Sequence, residues 1–332
     1  MNELERQIRE EIAASGPLPF TRFMELALYH PTLGYYRRTR DPFGVAGDYY
    51  TNAQLQPVFG RLIAQKIAAC HEALGRPRDF TVVELGAGRG ETAREIRACL
   101  PQIGYLEIER DRGVLPDRFV GVVVANEFFD ALPVHVVRST GAEILERFVA
   151  VDREKLGWTD GTPSTALLEG YVRRFAPSLA AGQIVEVNLH ALEWMERIAC
   201  SLERGYVLVI DYGYTSREIA GGRRFPEGSL MSYRRHTAYA DVLAEPGERD
   251  ITAHVNFTAL AGHAAPLGLR AAPLETQAQF LLSIGQADEF RSALAASSER
   301  DTARRRMLLK TLLFGLGETF QVQTFQRVEE KG

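Results

Sequence analysis

The sequence predicts a doubly wound α/β fold, a largely parallel sheet covered by helices on both faces. Three observations carry that expectation. Continuous apolar runs at residues 81–85, 103–109, 121–126 and 206–211 read as strands buried on both faces. Stretches of helical period separate most of them. The first run passes directly into Gly86-Ala87-Gly88-Arg89-Gly90, and a helical pattern follows from Glu91. Strand, glycine loop and helix N-terminus in that order make a nucleotide-type site in an open α/β sheet.

Each element has its own signal. Leu4, Ile8 and Ile12 keep helical spacing until Gly16-Pro17-Leu18-Pro19 stops the helix. Residues 20–29 form a second helix, ended by His30-Pro31, and residues 55–74 a third. Between them lies a loop rich in glycine and tyrosine, including Gly47-Asp48-Tyr49-Tyr50-Thr51. It is either a packed surface loop or a lid over a ligand. Residues 91–100 continue as helix. Residues 134–158 alternate polar and apolar around Ser139-Thr140-Gly141, the pattern of an inserted hairpin or meander. Residues 189–202 are an amphipathic helix leading into the 206–211 strand. Residues 214–262, rich in Gly, Arg and Tyr, read as an irregular insertion on the substrate side. The tail reads as a strand near 269–274, helices over 276–312 and a last strand at 320–325. The organisation expected is a helical N-terminal extension over 1–79 and a core over 80–332, with insertions near 134–160 and 214–262.

Composition narrows the function. Of 332 residues 45% are hydrophobic and 25% charged, enough to bury the core of one large domain or two ordinary ones. The net charge of −4 advertises neither a nucleic-acid backbone nor an anionic membrane as partner, although a local basic patch would not show in the sum. Cys70, Cys99 and Cys200 lie far apart and the histidines are scattered, so neither a disulfide framework nor a metal site is expected. No apolar run approaches the ~20 residues that span a bilayer, so no membrane insertion is expected. The acidic N-terminus lacks the pattern of a signal or transit peptide, and the expected location is cytoplasmic.

The glycine loop alone does not distinguish dinucleotides from S-adenosylmethionine. Its Glu-Leu-Gly-Ala-Gly-Arg-Gly spacing departs from the dinucleotide Gly-x-Gly-x-x-Gly. Glu84 at the strand end would repel a pyrophosphate, but favours the ammonium and sulfonium of S-adenosylmethionine. Glu107, at the end of the next strand, can accept both ribose hydroxyls. Glu109 lies on the same face by alternation, so register decides between them and Glu107 is favoured. The candidate cofactor residues are therefore Gly47, Asp48, Thr51, Glu84, Gly86, Gly88, Gly90, Glu107 and Asn126. Asn126-Glu127-Phe128-Phe129-Asp130 and Asp211-Tyr212-Gly213 follow later strands, where ligands of open sheets sit. Glu127 could bind a guanidinium bidentately or an amine through charge, and with help from Asp130 or Asp211 it could orient such a methyl acceptor and take up its proton. Asn126 could also simply cap a helix. His254 reads as a general base or, more commonly for a lone histidine, as a hydrogen-bonded structural residue.

With these residues the chain resembles the MidA-type methyltransferases. The resemblance runs through Tyr29-His30-Pro31 to Gly34-Tyr35-Tyr36, Gly47 to Thr51, Pro57 to Gly60, Val83 to Gly90, Asn126 to Val134, Asp211-Tyr212-Gly213 and Asp250 to Phe257. It implies a class I (Rossmann-like) methyltransferase core and S-adenosyl-L-methionine as cofactor. For the mitochondrial member of the family it implies methylation of an arginine on a respiratory complex I subunit, hence a protein substrate here; an oligomer is possible. Three departures stand out. Ala87 replaces a proline, Asn256 replaces an aspartate, and only residues 91–120 separate the glycine loop from the third strand, where the family carries a further helix and strand. That shortening removes part of the adenine pocket wall. The rival readings are a small-molecule methyltransferase and a non-catalytic cofactor-binding assembly factor.

Overall fold

The computed structural model describes residues 1–37, 52, 55–110, 112–220, 224–234 and 237–327. They group into two compact units, each assembled from separate stretches of chain.

The first unit draws on Met1–Tyr50, Asp130–Leu192 and Tyr214–Ala259. Its helices Glu3–Ser15 and Phe20–Tyr29 sit on an antiparallel sheet. The strand order is Leu18–Pro19, Ile144–Asp152, His135–Ser139, Ile184–Val187, with Lys155–Gly161 pairing on Ile144–Asp152. The predicted meander at 134–158 is therefore present, and the Ile184–Val187 strand is an addition to it. Leu4, Ile8 and Ile12, the helical repeat seen in the sequence, are buried with Phe20, Phe23, Val134, Val136 and Val149. The stretch 214–262, expected to be irregular, instead contains an antiparallel sheet of Thr237–Tyr239, Met231–Arg234 and Asp250–Thr252. Its strands are three or four residues long, too short for their alternation to stand out from loop sequence.

The second unit comprises Thr51–Phe129, Glu193–Gly213 and Leu260–Gly332. Its sheet runs Gly104–Ile108, Thr81–Leu85, Phe119–Asn126, Leu202–Tyr214, Phe320–Arg327, Leu269–Ala271. The first four strands are parallel; Phe320–Arg327 enters antiparallel, so the expected parallel sheet becomes mixed. Val82, Val83, Val122, Val123 and Val124 are fully buried, which explains why their strands read as unbroken apolar runs. Helices Val58–Ala73 and Gln277–Gly285 supply Leu62, Ile63, Ile67, Phe280 and Leu281 to the same core. Gly104–Ile108 ends the described sheet. With only residues 91–120 between glycine loop and third strand, no further strand flanks it among the described residues, and Leu106 stands 41% exposed.

Candidate active site

The site is built at the carboxyl ends of the parallel strands of the second unit. Thr81–Leu85 delivers the chain into a loop whose glycines all take positive φ: Gly86 at 70°, Gly88 at 56° and Gly90 at 66°. Residues with a side chain rarely hold that conformation, which accounts for the alternation of glycines. Gly86 N–H donates to the Ile108 carbonyl at 2.8 Å and Gly90 N–H to the Ala87 carbonyl at 2.9 Å. Gly90 caps the Glu91–Cys99 helix. A Cβ on Gly90 would stand 3.3 Å from the Glu107 carboxylate, so the missing side chain keeps the space beside that acid open.

Three carboxylates surround the loop, in different states. Glu107 pairs in register with Glu84, and its Oε1 meets Arg97 Nη1 at 2.7 Å. Glu109 Oε1 accepts the Gly88 N–H at 2.8 Å and so pins the loop itself. Glu84 is 4% exposed and accepts the Tyr105 hydroxyl at 2.7 Å. It has no cationic partner at ion-pair distance among the described residues. Burial pushes its carboxyl up to about 7; the Tyr105 bond opposes this, and the charges of Glu107 and Glu109 add to it.

A buried carboxylate two residues before the glycine loop, with no ion-pair partner among the described residues, fits the ammonium end of S-adenosylmethionine. The sign of the pH effect follows. Glu84 has a raised pKa, so the folded protein holds a proton that the unfolded chain releases at the ordinary carboxylate value. Stability of the ligand-free protein therefore falls as pH rises from that value through about 7. A bound cation favours the carboxylate, so binding below about 7 releases the proton. Affinity should weaken by up to about tenfold per pH unit below pH 6.5 and level off above pH 8. Calorimetric titration at pH 6 in two buffers of different ionisation enthalpy should detect release of close to one proton; identical heats would contradict this.

The third strand ends in a second polar cluster. Glu127 has φ +52°, a left-handed backbone on a residue with a long side chain. Its N–H donates to the Ile210 carbonyl at 2.9 Å. Its Oε1 accepts from Asn52 N at 2.8 Å and from Asn126 Nδ2 at 3.1 Å. Asn52 is fully buried; its Nδ2 donates to Asn126 Oδ1 at 3.2 Å and to Gln277 Oε1 at 2.6 Å. Asn52 Oδ1 is buried with no hydrogen-bond partner among the described residues. Asp211, fully buried, accepts the Phe129 N–H at 3.0 Å and the Tyr212 N–H at 2.8 Å. It thereby fixes the turn that carries Glu127.

The structure thus brings Glu84, Gly86, Gly88, Gly90 and Glu107 around one loop, and Asn126, Glu127 and Asp211 around another. Asp130 belongs to the first unit, buried, where its charge and that of Asp250 help raise the Tyr233 phenol above its ordinary value; burial is the larger cause. Gly47, Asp48 and Thr51 lie outside the described residues. Asn52 and Gln277 were not singled out in the sequence. Asn52 directly follows the glycine-tyrosine loop, which was the available signal; Gln277, in the tail, carried none. His254, in the first unit, lies edge-on to Tyr214 and Phe225 at 5.1 Å. Burial, helped by the charge of Arg224, pulls its imidazole down to about 4.

The protein family described as "Putative S-adenosyl-L-methionine-dependent methyltransferase" matches residues 100–273, just over half of the chain. This chain belongs to that family. A crystal structure of a Burkholderia thailandensis protein bound to S-adenosyl-homocysteine superposes with a TM-score of 0.87 at 29% identity, covering 98% of this chain and 92% of that one. The human mitochondrial protein arginine methyltransferase NDUFAF7 is 28% identical, over 91% of this chain and 78% of its own length. Its Drosophila melanogaster homolog is 26% identical over 76% and 68% respectively. The second unit is accordingly a class I methyltransferase fold. The chain is an S-adenosylmethionine-dependent methyltransferase, and S-adenosylmethionine is its cofactor.

Proposed function

We propose that this methyltransferase acts on an arginine side chain of a protein substrate, with Glu127 receiving the guanidinium. The observation that carries this reading is the backbone of Glu127. A left-handed conformation costs on the order of 1–2 kcal/mol, and such strain persists mainly where function requires a side chain to be aimed. Here it is stabilised by the Asn52 and Asn126 hydrogen bonds to one carboxylate oxygen, which hold the side chain at the end of the third strand. The arginine methyltransferases among the relatives supply the substrate class.

When bound, S-adenosylmethionine supplies an electrophilic methyl group on its sulfonium. Glu84 balances the cofactor's ammonium and Glu107 accepts its ribose hydroxyls; Glu109 is committed to Gly88. Glu127 orients the guanidinium through charge-assisted hydrogen bonds, and its carboxylate accepts the proton that the methylated nitrogen gives up. Asp211 is a positioning residue, acting through the Phe129 N–H. Incubating the protein with cell lysate and tritiated cofactor, then hydrolysing the labelled bands, should yield labelled methylarginine. Label confined to small molecules, or no transfer at all, would overturn the reading.

A further inference from the structure

The net charge of −4 conceals a concentrated basic surface on the second unit. Helix Glu299–Lys310 carries Arg300, Arg304, Arg305, Arg306 and Lys310 against only Glu299 and Asp301, and both acids sit in its first turn. Asp301 is further engaged by the Ser298 hydroxyl at 2.8 Å. Arg300, Arg304, Arg306 and Lys310 are exposed, and none forms an ion pair among the described residues. Elsewhere on this protein exposed arginines do pair, as Arg6, Arg22 and Arg76 show.

The same face carries apolar groups. Helical spacing lines up Arg300, Arg304, Met307 and Thr311, and the exposed row continues to Phe314 in the Thr311–Gly315 turn. Met307 is 65% exposed and Phe314 77%. The opposite face is occupied: Leu312 and Leu313 are buried in the core, with Leu308 and Leu309 packed against it. The outward residues are therefore not spare core; they are displayed.

We propose that this face is a peripheral docking surface for an anionic lipid bilayer. Cationic side chains flanking a protruding Phe and Met, on a helix anchored from behind, form the pattern of an interfacial element: the bases meet headgroups while the apolar tips enter the acyl boundary. A nucleic acid would reward the cations but not Met307. The contact lies on the surface, consistent with the finding that no helix among the described residues is long and apolar enough to cross a membrane.

The test is co-sedimentation of the full, cofactor-loaded chain with phosphatidylcholine vesicles, with and without phosphatidylglycerol. Binding should require phosphatidylglycerol and weaken with salt. The double change Arg304→Gln and Arg306→Gln should weaken it about 30-fold, and Phe314→Ser on the order of tenfold. Both variants should keep wild-type melting temperatures and methyl transfer, since neither alteration touches the site. Equal binding to pure phosphatidylcholine, no binding to either vesicle, insensitivity to Phe314→Ser, or binding to single-stranded RNA in place of vesicles would each overturn the proposal.

Discussion

Glu127→Gln should lower kcat about 10³-fold, the range lost when a positioned proton acceptor is removed, while S-adenosylmethionine affinity stays within a few-fold. Glutamine is the informative replacement. Its Oε1 can still accept from Asn52 N and Asn126 Nδ2, so the loop should keep its shape and the protein its melting temperature. What disappears is the negative charge and the capacity to accept a proton. On the proposed assignment cofactor affinity rests on Glu84 and the glycine loop at a different strand end, which is why the two measurements should separate. Stopped-time assays with a methyl-accepting peptide and a parallel calorimetric titration read both quantities. Turnover near wild type would remove Glu127 from the mechanism; loss of cofactor binding together with activity would make it a binding residue instead.

The second large effect concerns stability. Gly121 lies at the centre of the sheet, paired to Thr81 on one side and to Gly205 on the other. A Cβ placed on Gly121 would overlap the Thr81 carbonyl oxygen, and one on Gly205 would overlap the Gly121 carbonyl oxygen. The obstacle is backbone in a hydrogen-bonded ladder, not the end of a flexible side chain. Gly121→Ala must therefore separate two strands of the layer that carries both polar clusters, at a cost of at least about 3 kcal/mol. A melting temperature lower by roughly 4 °C or more is expected for a protein of this size. A change of only a degree or two would mean that the strands can part without penalty.

These two positions also mark what could be read from the sequence. Buried valines on both faces of Thr81–Leu85 and Phe119–Asn126 leave an unmistakable apolar trace, so the parallel core and its glycine loop were legible. Glu84 and Glu107 were legible because strand ends in such sheets are where ligands sit. Asn52 was marked only by following the glycine-tyrosine loop, since it meets Glu127 across 75 residues of sequence, and Gln277, which meets Asn52 across 225, was not marked at all. The left-handed backbone of Glu127 has no sequence signature at all; glycine or asparagine would have announced it, glutamate does not. The sheet around Met231–Arg234 was invisible for a different reason, because strands this short give periodicity nothing to act on.

Among the described residues no strand pairs on the outer side of Gly104–Ile108, and this has a consequence for behaviour at high concentration. An unpaired strand edge invites the same edge of another molecule, the first step towards aggregation. Gly104–Ile108 answers that hazard with brevity and charge: it is five residues long, Glu107 stands on it, and Arg97 pairs with Glu107 while lying 4.8 Å from the Tyr105 ring. The carboxylate proposed to hold the ribose is thus also a sentinel against self-association. Replacement of Glu107 would be felt twice, in cofactor affinity and in the concentration at which the protein stays in solution.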